Sequence, residues 1–521
     1  MRVIGIRHRV KKTADGEARP TMVAILVGST LTLYELPDEQ TELDFVLGKF
    51  PTAFRLIGED EGFLDFPTHQ VTWRELKPPK GSEEINTHGI QTRHLRRSGK
   101  QVYQAVKVPA QFDGLRAGDM VAMALGGSGD HLAYALGRQA EKVGATVLRI
   151  PPATLKARRD AQIGEEKGDE ILLAELARDE IGLFYPLAER DRNLILVREC
   201  WRALNEAMKA RIGCEQRLRQ SFIGRIFTHP DGLYPEGGIE AQFDALKAND
   251  RLRAAFVAEE AERQKELTKA LEHSEVYTQV LAPVVGAGPR IAARIIASVV
   301  DIRRFAEEPD NMNVLIAESY ARSVEHAQLG SFTENLLQLE GGKNAYSRIN
   351  DAARIKKEQG DEAAARHLYA MLREKKVRSQ LRRKKFSLSA SNLKAFMGVH
   401  LLPDGSFPRK RRGQVANWHG DARQALYLLM DQFFKRPDSE WGVRLREEMA
   451  AFRVKHPEVV IEEREDPATG KKRPVKKYND LHIRKMAMWR TANKFVEWFY
   501  GEWLKLDKVQ AKAPVPLKRA A

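Results

Sequence analysis

Two cationic tracts dominate what this chain could do chemically. Lys375, Lys376, Arg378, Arg382, Arg383, Lys384 and Lys385 form the first, and Arg409, Lys410, Arg411 and Arg412 the second. Between them lies an apolar, helix-like run, Leu393-Lys-Ala-Phe-Met-Gly398. A third tract, with Lys471, Lys472, Arg473, Lys476 and Lys477, is expected in an exposed loop. Cations bracketing a packed segment make a surface for polyphosphate, so the last third of the chain is expected to grip nucleic acid. Arg290 and Arg294 follow a Gly286-Ala-Gly288-Pro289 turn. A turn of this kind starts a helix and leaves backbone N–H groups for a phosphate, or it packs two helices closely.

Catalytic chemistry is sparser. A two-metal nuclease needs several carboxylates converging on a pair of ions. The run Met22–Val27, read as the first strand, has no acid, and neither has the interior of Met120–Leu125. Asp130 and Asp169 are isolated candidates for Mg²⁺. The 13 histidines include no HExxH pair suited to zinc. The expectation is therefore no metal and no other cofactor, with Mg²⁺ on Asp130 and Asp169 as the alternative. Ser406, in Pro403-Asp-Gly-Ser-Phe-Pro408, lies among cations that would steady a phosphate under attack. The plainer reading is a turn serine.

The charge is unevenly placed. The 521 residues carry 86 Lys+Arg against 71 Asp+Glu, a net of +15. From Gly341 onward there are 41 basic and 21 acidic residues, so the front is slightly acidic and the back strongly basic. No apolar run approaches the roughly 20 residues that span a bilayer. The N-terminus, Met1-Arg-Val-Ile-Gly-Ile-Arg-His-Arg, lacks a secretory apolar segment. Cys200 and Cys214 suffice for neither a disulfide framework nor a zinc site, and both read as packing residues in a reducing compartment.

Positioning these groups requires an α/β front and an α-helical back. Met22–Val27 and Thr30–Leu36 read as a hairpin around Gly28-Ser29. Asp119–Leu125, the turn Gly126-Gly-Ser-Gly129, a helix over 131–143 and Thr146–Ile150 read as a βαβ unit with parallel strands. The glycine turn matches neither the Walker loop nor the dinucleotide fingerprint, so a tight turn outweighs nucleotide binding. Residues 188–225 and 239–280 carry apolar residues at three- and four-residue spacing, which predicts an antiparallel helical hairpin or coiled coil. In the C-terminal helix, Trp489, Phe495, Trp498, Phe499, Tyr500 and Trp503 either stack on bases or, more simply, bury that helix. The implied domains are 1–186, 187–280, 281–506 and a disordered basic tail, 507–521.

Several segments resemble bridge-RNA-guided DEDD insertion-sequence transposases. Gly286–Ala297 with Asp301-Ile-Arg-Arg-Phe305 resembles one block of their serine-bearing domain. Phe386–Val399 resembles a second and Arg412–Leu426 a third. Upstream, Val147–Pro152 and Lys167-Gly-Asp169 resemble the end of their RuvC-like domain. This chain departs at the family's metal ligands: Ala24-Ile-Leu-Val stands at the first-strand acid, Ala124-Leu-Gly-Gly-Ser-Gly at the glutamate block, and Leu172 at the last acid. The serine that aligns with Ser406 is followed there by two glycines, and here by Phe407-Pro408. The layout is also similar to Tas proteins of tandem interspaced guide RNA systems, whose core resembles the Nop domain of box C/D ribonucleoproteins.

The resemblance implies a degenerate RuvC/RNase H-like domain, a coiled-coil arm that forms a homodimer and a basic Nop-like domain. It further implies a cytoplasmic, prokaryotic or phage-encoded protein. Such a protein would hold a guide RNA and find target DNA by base pairing, without cutting it. The alternative is a working transposase or nuclease that uses Ser406 or a divergent Asp/Glu metal site.

Overall fold

The computed structural model describes residues 2–10, 18–58, 61, 65–76, 90–95, 99–160, 168–232, 236–305, 351, 354–355, 357–360, 389–403, 405–410, 415–465 and 472–511. Two compact units divide at residue 188.

In the first unit, β1 (Arg2–Arg7), β2 (Thr21–Val27) and β3 (Thr30–Leu36) form an antiparallel meander. The predicted hairpin is β2–β3, with Val27 opposite Thr30 and Gly28 in the left-handed region. After α1 (Glu39–Val46), the chain makes a separate antiparallel sheet from β4 (Phe50–Leu56), β5 (Thr72–Leu76), β6 (Ile90–Leu95) and β7 (Gly99–Asp113). It then returns to the main sheet. β8 (Met120–Ala124) lies parallel to β1, and β9 (Thr146–Ile150) parallel to β8. The short β10 (Tyr185–Pro186) closes the order β10-β9-β8-β1-β2-β3.

The expectation of Met22–Val27 as the first strand is thus corrected. β1 precedes it and takes the central place. Its alternating side chains enter different cores. Ile4 and Ile6 pack with Leu132 and Leu136 of α2 (Asp130–Val143). Val3 packs with Leu173 and Ala174 of α4 (Asp169–Asp179). The two helices therefore cover opposite faces, with α3 (Pro152–Asp160) preceding α4. Gly5 makes this possible: a Cβ there would come within 1.9 Å of the Glu170 carbonyl oxygen.

The second unit begins with α5 (Glu189–Phe227), α6 (Ile239–Asn249) and α7 (Arg251–Glu272). Asn193 donates to the His273 carbonyl at one end, Arg211 pairs with Glu260 in the middle, and Arg253 pairs with Glu215 further out. α5 and α7 are therefore antiparallel, as the spacing predicts. Their basal residues Leu194, Trp201, Leu267 and Leu271 share one core with α8 (Pro289–Val299), α9 (Gly420–Lys435), α10 (Glu440–Lys455) and α11 (Asp480–Ala511). Arm and terminal helices make one compact unit, and their described buried residues share one core.

Two further expectations change here. α11 runs to Ala511, so residue 507 is not the start of a disordered tail. Asp507 pairs with Arg190 at 2.5 Å, and burial pushes its carboxyl above the ordinary range. Lys472–Lys477 is a strand, β12, paired antiparallel with β11 (Val460–Glu465), and not a loop. Among the described residues, no helix is long and apolar enough to cross a membrane.

Candidate nucleic-acid interface and the carboxylates of the sheet edge

The described cations fall into two groups. Arg290 and Arg294 are occupied within the fold. Arg290 bonds Glu260 at 3.0 Å and Gln264 at 2.5 Å, both on α7. Arg294 bonds Asp421 and Gln424 of α9 and lies over the Trp201 ring. The turn before them has the predicted geometry: Gly286 at φ +104°, Gly288 as N-cap and Pro289 in the first turn. A Cβ on Gly286 would lie 3.1 Å from the Gln432 Cβ, so this turn is a close helix–helix contact.

Arg409, Lys410, Lys472 and Lys476 are exposed, and Lys477 is half-buried. Lys477 pairs with Glu462 across the ribbon at 2.5 Å, and Lys472 approaches Glu463 at 3.9 Å. These cross-strand pairs hold a strand that propensity alone disfavours. Beside the ribbon stand three stacked rings. His456 lies 3.8 Å from Tyr478 with planes 4° apart, and Tyr478 lies 5.5 Å from His482 at 7°. Tyr478 holds φ +59°, its N–H bonds His482 Nδ1 and its carbonyl accepts from Arg453. Burial lowers the His482 pKa, and Arg409, Lys477, His456 and Lys485 lower it further. The fields of the second and third cationic tracts therefore meet at one imidazole. Sequence reading singled out Lys485 among the cations of the last helix but missed His456, Tyr478 and His482, because the stack forms only when His456 comes up against Tyr478 from another element. Lys375, Lys376, Arg378, Arg382, Arg383, Lys384, Lys385, Arg411, Arg412 and Lys471 lie outside the described residues, as does the Arg473 side chain.

The blocks around Gly398 and Trp418 meet directly. Gly398 is at φ +70°, and a Cβ on it would be 2.7 Å from Trp418 Cγ. His419 N–H bonds the Phe396 carbonyl, and its ring stacks on Phe396. Arg423 lies between Trp418 and Trp489, 4.6 Å from each ring centre, where burial lowers its pKa. In α11, Phe495, Phe499, Tyr500 and Trp503 are buried, while Trp489 and Trp498 are half-buried. Burial, and not base stacking, accounts for the four buried rings. Ser406 sits in a turn where its carbonyl accepts from Leu402 N–H.

Asp130, Asp169 and Glu170 of the first unit each face an arginine. Asp130 is fully buried and bonds Arg149 at 2.6 Å, while Arg149 also donates to the Ala124 carbonyl. Asp169 makes two bonds to Arg159, at 2.6 and 2.8 Å. β1 ends in Arg7, which bonds Glu170 at 2.9 Å. Asp130 opens α2 and Asp169 opens α4, on opposite faces of the sheet. The pair does not fit a shared Mg²⁺. Among the described residues, no three His, Cys, Asp or Glu side chains are grouped to hold a metal.

The chain matches no protein-family model and no curated protein.

Proposed function

We propose that this chain binds nucleic acid through its second unit and acts as an RNA-guided DNA-binding protein. The guide RNA lies on the basic helical surface, and the DNA target is chosen by pairing to that RNA. One observation carries the reading: the positive fields of Arg409, Lys477 and Lys485 converge beside the His456–Tyr478–His482 column. Cations track a phosphate backbone, and ring faces accept bases without regard to sequence.

The first unit is read as RuvC-like without its nuclease. Its antiparallel meander, extended by two parallel strands, supports that fold. Arg7 ends the central strand, and Asp130 and Asp169 are neutralised by arginines, which supports binding without cutting. The exposed Ile212, Leu252 and Val257 on the arm support a homodimer contact.

The test is purified protein with its co-purifying RNA, matched duplex DNA and Mg²⁺. Stable, RNA-dependent binding of the matched duplex without cleavage is expected. RNA binding with no response to matched DNA leaves an RNA scaffold. Specific cutting or joining, abolished by Ser406→Ala or by Asp169→Asn, would establish the working-enzyme alternative.

A further inference from the structure

The carboxyl ends of the central strands β1 and β8 hold a chain of groups that nucleic-acid binding does not use. Ser128 stands in the Gly126-Gly-Ser-Gly129 turn between β8 and α2 and is exposed. Gly126 and Gly127 take φ +86° and +82°, which turns the chain sharply from strand to helix. Ser128 Oγ is 3.0 Å from His8 Nδ1. On the far side of the ring, His8 Nε2 is 3.5 Å from Glu42 Oε1. Glu42 is fixed in turn by the Thr21 hydroxyl, which donates to it at 2.5 Å. The three groups come from the turn after β8, the residue after β1 and helix α1. Glu42 is buried, and the His8 side chain is only 12% exposed.

We propose that Ser128, His8 and Glu42 form a hydrolytic triad acting on esters or similarly activated acyl groups. In the Nε2–H tautomer, Glu42 accepts from His8 and Nδ1 accepts the Ser128 proton. Oγ then attacks the carbonyl carbon, forming one C–O bond while the carbonyl π pair moves to oxygen. Collapse breaks the bond to the leaving alcohol, which takes the proton from His8. Water, deprotonated by His8, then releases the acid and restores Ser128.

Burial first, then Arg9, pushes the His8 pKa down to about 4, so it is a neutral acceptor at pH 7. Arg9, Glu42, Asp130 and His131 are the other titratable groups facing it, and Glu39 pairs with Arg9. Glu42 is raised by burial, and it acts as a positioning group.

The probe is a fluorophosphonate applied to the full chain. Oγ–P bond formation expels fluoride and leaves the serine proton on His8. A single adduct on Ser128 by peptide mass spectrometry is expected, absent in Ser128→Ala. His8→Gln is expected to slow labelling about a hundredfold. Labelling of the parent protein should also fall as pH drops toward 4, a limb that needs no variant to observe. No adduct on Ser128, or labelling that neither His8→Gln nor pH alters, would overturn the triad and leave a structural hydrogen-bond chain. The RNA-guided reading stands or falls separately, since RNA binding is measured without the probe.

Discussion

In residues 1–188 Arg7, Arg149 and Arg159 pair with carboxylates, whereas near residues 409–485 Arg409 and Lys485 stand beside half-buried aromatic rings. Arg149, Arg7 and Arg159 each end on an acid. Arg409 and Lys485 lend only their field to the stacked rings around His482. The same residue types thus do opposite work. A buried guanidinium spends its charge on one partner and fixes a fold. A solvated one keeps its charge for something arriving from outside. Net charge alone cannot tell these uses apart, because both add equally to +15.

The comparison can be broken most directly at Arg149. Arg149→Ala removes the arginine partner of a fully buried Asp130 and should destabilise the first unit by about 3–5 kcal/mol, read by denaturant unfolding. A loss below about 1 kcal/mol would mean the pair does not hold the sheet edge. His8 offers a second test. Its folded pKa of about 4 lies below the ordinary 6.5, so the unfolded chain takes the proton first as pH falls. Stability is therefore fully present above pH 6.5 and drains away between 6.5 and 4, by at most about 3 kcal/mol. His8→Gln should remove that component, seen as a flatter difference between melting curves at pH 7 and pH 5.

In the second unit, Gly398→Ala should cost about 2 kcal/mol, because it forces a side chain into φ +70° and against Trp418. Thermal melting checks it, and an unchanged midpoint would mean that Trp418 yields easily. Replacing Arg409 and Lys485 by Ala should weaken RNA binding and lower the salt slope by up to about two. The same exchange at Arg290 and Arg294 should leave the slope unchanged, since both already have partners. The smallest effect concerns pH. His482 is held neutral by burial and by its cationic neighbours, and a phosphate would draw its proton back. RNA affinity should rise a few-fold as pH drops from 7.5 to 6, and lose that dependence in His482→Gln.

How much was legible in the sequence depended on distance along the chain. The β2–β3 hairpin, the β8–α2–β9 unit and the Gly286–Pro289 turn rest on neighbouring residues, and periodicity or turn chemistry reveals them. β1 did not announce itself. Its four apolar or small residues lie between Arg2 and Arg7, and its parallel partner is more than a hundred residues away. The ribbon read as a loop because Pro474 and four cations outweigh strand propensity, while the acids that answer them sit on the other strand. The Ser128–His8–Glu42 chain was invisible for the same reason. Each member is ordinary in its own window, and only the closing of the sheet brings them together.

Gly5 carries a lesson about descent. The strand and α4 touch there through bare backbone, leaving no room for even a methyl group. The basic tracts of the second unit lie outside that seam. A distant cousin of this chain should therefore be sought by a lone glycine amid β1's short apolar run, and not by its basic stretches.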